Sequence, residues 1–145
     1  MQDADGDVSA PGTEPARPRA LVVDDSPNIR RLIQMNLELE GYEVLTASDG
    51  EHAFELAVQA EPDVVTLDVV MPRLDGFATA ERLKRDPRTE HLKVVMVTSA
   101  SQAADFQRAE RAGVDGYLTK PFDPDRLVAL VTSLLPPERR PSSRD

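Results

Sequence analysis

The chain has 145 residues, of which 40% are hydrophobic and 30% charged; this suits one soluble globular domain and excludes a fibre or a wholly disordered chain. It contains no cysteine, so disulfides, thiolate zinc sites and cysteine nucleophiles are excluded. A net charge of -9 disfavours direct contact with nucleic acid or anionic lipid, and neither a membrane-length apolar stretch nor a signal-peptide pattern is visible, so a cytoplasmic protein is expected.

Met1 to Pro18 is polar, carries Pro11, Gly12, Pro15 and Pro18 with four acids, and is expected to be a disordered acidic tail. Short β-branched runs and helical patterns then alternate from Arg19 to Leu135. A strand over Ala20–Val23 precedes a helix over Pro27–Glu40, with Ile29, Leu32, Ile33 and Leu37 on one stripe and Gly41 as its stop. Next come a strand over Glu43–Thr46 and a helix over Glu51–Ala60 that ends before Pro62. The strand Val64–Leu67 leads to a short helix over Phe77–Arg85, ended by Pro87. After the strand Val94–Val97, Ser101 suits the N-cap of a helix over Gln102–Ala112, and Gly113 suits its C-terminal stop. Finally a strand over Gly116–Leu118 precedes a helix over Pro124–Leu135 capped by Asp123. Residues 136–145, opened by two prolines, are expected to form a second disordered tail or linker, so the folded domain is placed at 19–135. The tails carry -3 and +1, leaving -7 on the domain. Five strand–helix units in succession imply an α/β fold: a five-stranded parallel sheet with helices on both faces.

In such sheets the functional crevice lies beyond the C-terminal strand ends. Asp24-Asp25-Ser26 follows the first strand, Asp68 the third, Thr98-Ser99 the fourth and Thr119-Lys120-Pro121 the fifth. Taken singly, each has a plainer role. Asp25 or Ser26 suits an N-cap ahead of Pro27, Asp68 a turn, Lys120 a surface lysine, and Thr98 a strand-end hydroxyl with a local bond. Taken together, three carboxylates, a hydroxyl and an ammonium converge on one edge. Such carboxylates need a shared proton or a cation. Oxygen donors without Cys or a His pattern favour Mg²⁺, or Mn²⁺, over zinc. A half-filled metal site beside a lysine and a threonine hydroxyl is suited to phosphoryl groups, with a central carboxylate as the in-line nucleophile that forms an aspartyl phosphate.

Four strings, Leu21-Val-Val-Asp-Asp-Ser26, Leu67-Asp-Val-Val-Met-Pro-Arg-Leu-Asp-Gly76, Val97-Thr98 and Gly116-Tyr-Leu-Thr-Lys-Pro-Phe122, span the whole expected core. In order and spacing the chain resembles the receiver domains of two-component response regulators. The resemblance implies a flavodoxin-like (βα)5 fold with strand order 2-1-3-4-5. It implies Asp68 as phosphoacceptor, and Asp24, Asp25 and the backbone carbonyl of Val70 as protein ligands of Mg²⁺ beside it, with Asp25 direct and Asp24 acting through water. Lys120 would pair with the phosphoryl group and precede a cis bond to Pro121. Thr98 and Tyr117 would form the switch, and Pro72 and Gly76 would shape the loop after Asp68. The implied donor is a phosphohistidine on a sensor histidine kinase or histidine phosphotransfer protein. Output would go to a downstream target protein or a tethered output domain, with the chain a monomer or a weak phosphorylation-dependent dimer. The chain would be a signalling phosphoacceptor that catalyses only its own phosphoryl transfer and dephosphorylation. The fourth helix, fifth strand and fifth helix, with Phe106, Gly113, Tyr117 and Arg126, would make the output face, although Phe106 equally suits the core.

Some positions depart from the family pattern. Val70 and Ala100 are apolar where polar groups near the attacking water are common, which implies slow self-dephosphorylation. Arg126 stands where the winged-helix DNA-binding subfamily has an acid used in dimerisation, which argues against that dimer mode. His52 and His91 read as ordinary exposed histidines, and Arg30-Arg31 and Lys84-Arg85 as solvated pairs. Arg139-Arg140 is too small a cluster to bind DNA against the acidic core. Three competing readings carry less. A flavin or nucleotide binder would need a Gly- or Ser-rich first loop, and an aspartate phosphatase a second acid at Val70. A phosphorylation-independent receiver-like adaptor would not need the intact acidic set.

Overall fold

The structure, a computed structural model, describes residues 17–71 and 75–141. Residues 1–16 of the expected N-terminal tail (1–18), residues 142–145 of the expected C-terminal tail, and Pro72 lie outside the described residues. Five strands, β1 (Arg19–Val23), β2 (Glu43–Ala47), β3 (Val64–Leu67), β4 (Lys93–Thr98) and β5 (Gly116–Thr119), alternate with α1 (Pro27–Leu39), α2 (Gly50–Ala60), α3 (Gly76–Arg85), α4 (Ala103–Ala112) and α5 (Pro124–Leu134). All pairings are parallel and the order is β2-β1-β3-β4-β5, as expected. Among the described residues no helix is long and apolar enough to cross a membrane.

The two-residue period of the strands divides the core in two. Leu21, Val23, Val65, Leu67 and Met96 face one side, with Phe54, Phe77, Ala80, Leu83 and Ala109 of α2, α3 and α4. Ala20, Val22, Val64, Val95 and Val97 face the other, with Ile33 and Leu37 of α1 and Leu127 and Val131 of α5. This double cover explains the continuous apolar runs of β1, β3 and β4, while β2 and β5 at the edges stay half-exposed.

Local chemistry sets the helix ends. Ser26, Asp49, Asp75 and Asp123 cap α1, α2, α3 and α5 through their side chains. Helix α4 is capped by Gln102 instead of Ser101, because Asp105 three residues on bonds back to the Gln102 N–H and completes a capping box. Leu32 is also corrected. It is 39% exposed, about 100° round the helix from the buried Ile33. With Met35 and Leu39 it forms an outward apolar stripe on α1.

The described residues past Leu135 lie against the domain. Pro137–Arg139 form a 3₁₀ turn, and the Arg139 guanidinium donates to both Asp63 oxygens at 3.1 and 2.8 Å. Asp63 also accepts the Arg19 N–H at 2.8 Å, so the turn at Pro137–Arg139 is tied to the starts of β1 and β3. Lys84, expected to be solvated, pairs with Asp115 at 2.7 Å and donates to the Leu92 carbonyl at 2.9 Å.

Burial pushes the Asp63 carboxyl up, but the Arg139 guanidinium and the Arg19 N–H outweigh it and hold the group below its ordinary 3.8. A depressed carboxyl stabilises the fold above its unfolded value, and that contribution is lost as pH falls through the folded one. Arg139→Gln should therefore cost about 1 kcal/mol at pH 7. In urea titrations the difference from wild type should shrink as pH falls below 3.8.

Candidate phosphoacceptor edge

Strand order decides which loops meet. Because β1 and β3 are adjacent, Asp24 and Asp68, each the first residue past its strand, stand side by side. Their backbones continue the ladder: Asp68 N–H donates to the Val23 carbonyl at 3.1 Å and Asp24 N–H to the Ala47 carbonyl at 3.2 Å. Asp25 follows in the turn before α1. Carboxylate oxygens of Asp24, Asp25 and Asp68 all lie within 4.8 Å of one another. Asp24 and Asp68 are buried, at 1% and 7% exposure, and Asp25 is exposed.

Two such charges 4 Å apart repel by about 4 kcal/mol at an effective dielectric near 20. Lys120 offsets part of this. Its Nζ donates to Asp24 Oδ2 and to Asp68 Oδ2, each at 2.9 Å. Burial opposes the lysine's charge, but the two carboxylates outweigh burial and hold its pKa above the usual range. Burial pushes the Asp24 carboxyl up, against the Ser26 N–H and Lys120. The three carboxylates outnumber the ammonium, all donors are oxygen, and the set is close enough to share one small ion, so the residues fit Mg²⁺.

The remaining residues sit around this edge. Thr98 is fully buried at the end of β4; its Oγ1 accepts the Ala100 N–H at 3.3 Å, and its carbonyl accepts the Lys120 N–H at 2.9 Å. Among the described residues no hydrogen bond joins Thr98 to Asp68. The Tyr117 hydroxyl donates to the Ala100 carbonyl at 2.6 Å, and its ring lies 4.6 Å from that of Phe106. Phe106 is 43% exposed, so it belongs to the surface and not the core. Val70 is exposed, and its N–H donates to Asp68 Oδ1 at 3.3 Å. The Lys120–Pro121 bond is cis, as the resemblance implied. His52 and His91 are exposed and stand on other segments.

Sequence reasoning missed one contact. Arg30, taken as half of a solvated pair, donates through Nη1 to the Asp24 carbonyl at 2.8 Å. Its spacing, six residues after Asp24 and one turn into a helix, is the only trace of this in the sequence.

A five-stranded parallel sheet in this order, with an acidic triad and a lysine at its C-terminal edge, defines the class: a flavodoxin-like α/β domain built around a charged strand-end site. The family model described as the response regulator receiver domain matches residues 20–132, and the chain belongs to that family. It is 45% identical over 118 residues to the DNA-binding dual master transcriptional regulator RpaA of Synechocystis, covering 81% of this chain and 49% of RpaA. It is 43% identical over 116 residues to the response regulator PleD of Caulobacter vibrioides, covering 80% of this chain and 26% of PleD. The chain thus spans about half of RpaA and about a quarter of PleD. Among solved structures, the chemotaxis response regulator CheY4 of Vibrio cholerae superposes with a TM-score of 0.78 at 32% identity, covering 83% of this chain and 100% of that one.

Gly76 ties α3 to this edge. Its N–H donates to the Val69 carbonyl at 2.9 Å, and an added Cβ would overlap the Asp68 carbonyl oxygen and lie 2.8 Å from the Val69 Cα. Both neighbours are backbone, so neither can swing aside. Gly76→Ala should lose about 3 kcal/mol in a denaturant titration and shift the Asp68 amide resonance.

Proposed function

We propose that this receiver domain takes a phosphoryl group onto Asp68 from a phosphohistidine of a sensor histidine kinase or histidine phosphotransfer protein. The observation that carries the reading is Lys120 bridging Asp24 and Asp68 inside an acidic triad. An Asp68 carboxylate oxygen attacks phosphorus: among the described residues Oδ1 accepts only the long 3.3 Å bond from the Val70 N–H, while Oδ2 accepts Lys120. As the oxygen–phosphorus bond forms, the phosphorus–nitrogen bond breaks, and the imidazole leaves with the electron pair and takes a proton from solvent water. Asp24, Asp25, Asp68 and the Val70 carbonyl would hold Mg²⁺, whose positive charge would be available to the phosphoryl oxygens. Lys120 exchanges its bond with Asp68 for one to a phosphoryl oxygen. The exposed stripe of Leu32, Met35 and Leu39 on α1 suits a helix of the donor protein.

The switch follows from Ala100. Its N–H is bonded to Thr98 and its carbonyl to Tyr117, so one residue's backbone joins the two. A phosphoryl group adds about -1.5 to -2 charge and three acceptors, which draw the Thr98 hydroxyl inward. The shift of Thr98 pulls on the Ala100 peptide and through it on Tyr117, whose ring with Phe106 borders the face made by α4, β5 and α5. That face acts on a separate target protein or a tethered output domain.

Intact-mass spectrometry after acetyl phosphate treatment tests the first step. One phosphoryl adduct is expected, dependent on Mg²⁺ and absent in Asp68→Asn. If neither acetyl phosphate nor a phosphohistidine donor labels the chain while Mg²⁺ still binds, a phosphorylation-independent adaptor is the better reading. The phosphoryl lifetime tests the apolar surround. Replacing Val70 with Asn and Ala100 with Glu together should shorten it at least about tenfold by orienting the attacking water. An unchanged decay would count against a role for these positions.

A further inference from the structure

Three carboxylates must be aimed at one point, and two of them are held by side-chain bonds. Asp24 accepts from the Ser26 N–H and from Lys120, each at 2.9 Å. Asp68 accepts from Lys120 at 2.9 Å and from the Val70 N–H at 3.3 Å. The Asp25 side chain, exposed to solvent, has no such bond among the described residues. Its direction is therefore set by its backbone, and first by the peptide joining it to Asp24. The carbonyl of that peptide is the atom that accepts the Arg30 guanidinium at 2.8 Å. Arg30 in turn is fixed by the first turn of α1, where its own N–H donates to the Ser26 carbonyl at 2.9 Å and Ser26 Oγ caps Ile29.

We propose that Arg30 is a positioning residue. It clamps the Asp24–Asp25 peptide so that the Asp25 carboxylate faces Asp24 and Asp68, and so sets the affinity of the edge for a divalent cation. The inference rests on the Mg²⁺-dependent reading given above. Two effects of Arg30 have opposite signs, which makes the role separable. As a positive charge near the site, Arg30 weakens cation binding. As a clamp, it strengthens binding, because a ligand held in place loses less freedom when the ion arrives. Arg31, the next residue, is exposed and has a similar charge without a bond to the Asp24 carbonyl.

The test is a Mg²⁺ titration of the full chain followed by amide NMR shifts, with Arg30→Met, Arg30→Lys and Arg31→Met beside wild type. Arg30→Met should raise the Mg²⁺ dissociation constant about tenfold, as loss of an outer partner of a metal ligand does. Arg30→Lys, which keeps a donor and the charge, should recover part of that loss. Arg31→Met should bind Mg²⁺ as wild type does or slightly more tightly. At saturating Mg²⁺, acetyl phosphate labelling of Arg30→Met should return to within about twofold of wild type, because only the affinity has changed. The proposal is overturned if Arg30→Met binds Mg²⁺ as tightly as wild type or more tightly, or if Arg31→Met loosens it equally. Should Arg30→Met fail to fold by circular dichroism, Arg30→Gln against Arg30→Lys carries the same comparison. A wild type that neither binds Mg²⁺ nor labels at Asp68 would remove the underlying reading as well; equal affinities in a wild type that does both remove only the role of Arg30.

Discussion

Like charges crowded at one sheet edge are the constraint around which this molecule is built. Asp24, Asp25 and Asp68 bring their oxygens within 4.8 Å, two of them from buried positions. Lys120 answers from just past β5, two strand spacings from β3, or about 10 Å away. The intervening strand takes part in that reach. The Thr98 carbonyl at the end of β4 receives the Lys120 N–H, so the lysine starts from a fixed point and its long stem spans the gap. A parallel order with β4 between β3 and β5 is thus the geometry that lets one cation serve two carboxylates while a threonine sits between them.

Such an edge keeps its shape only on a stiff platform. The residues of β1, β3 and β4 that lead to it are almost all fully buried, with side chains locked alternately into two separate cores. Helix α3 starts against the Asp68 and Val69 backbone at Gly76, where there is no room for a side chain. At the opposite end of the sheet, Asp63 gathers the starts of β1 and β3 and the turn at Pro137–Arg139 through Arg19 and Arg139. Charge strain is therefore concentrated where the sheet cannot relax it by bending.

The architecture and the acidic edge were legible in the sequence, because both follow from local rules. Apolar runs such as Val64–Leu67 mark strands covered on both faces, and a charged residue just past such a run must lie at the sheet edge. Ser26, Asp123 and Gly113 announced helix ends by capping chemistry. Long-range pairings were not legible. Arg139 and Asp63 are 76 residues apart, and nothing local marks them as partners. Leu32 was misread because a helical stripe has a width, and only the sheet beneath decides where it ends. Arg30 was misread because its partner is a backbone carbonyl, which has no letter in the sequence.

Ala100 has a further consequence. Its peptide groups bond Thr98 on one side and Tyr117 on the other, so the two side chains do not have independent positions. Thermodynamic linkage makes any such coupling reciprocal. If phosphorylation of Asp68 shifts the equilibrium position of Tyr117, as proposed above, then a molecule that grips Tyr117 on the far face shifts the phosphorylation equilibrium at Asp68 by the same free energy. Under the proposed switch, a target on that face would shift the balance between the two states of the edge as well as respond to it.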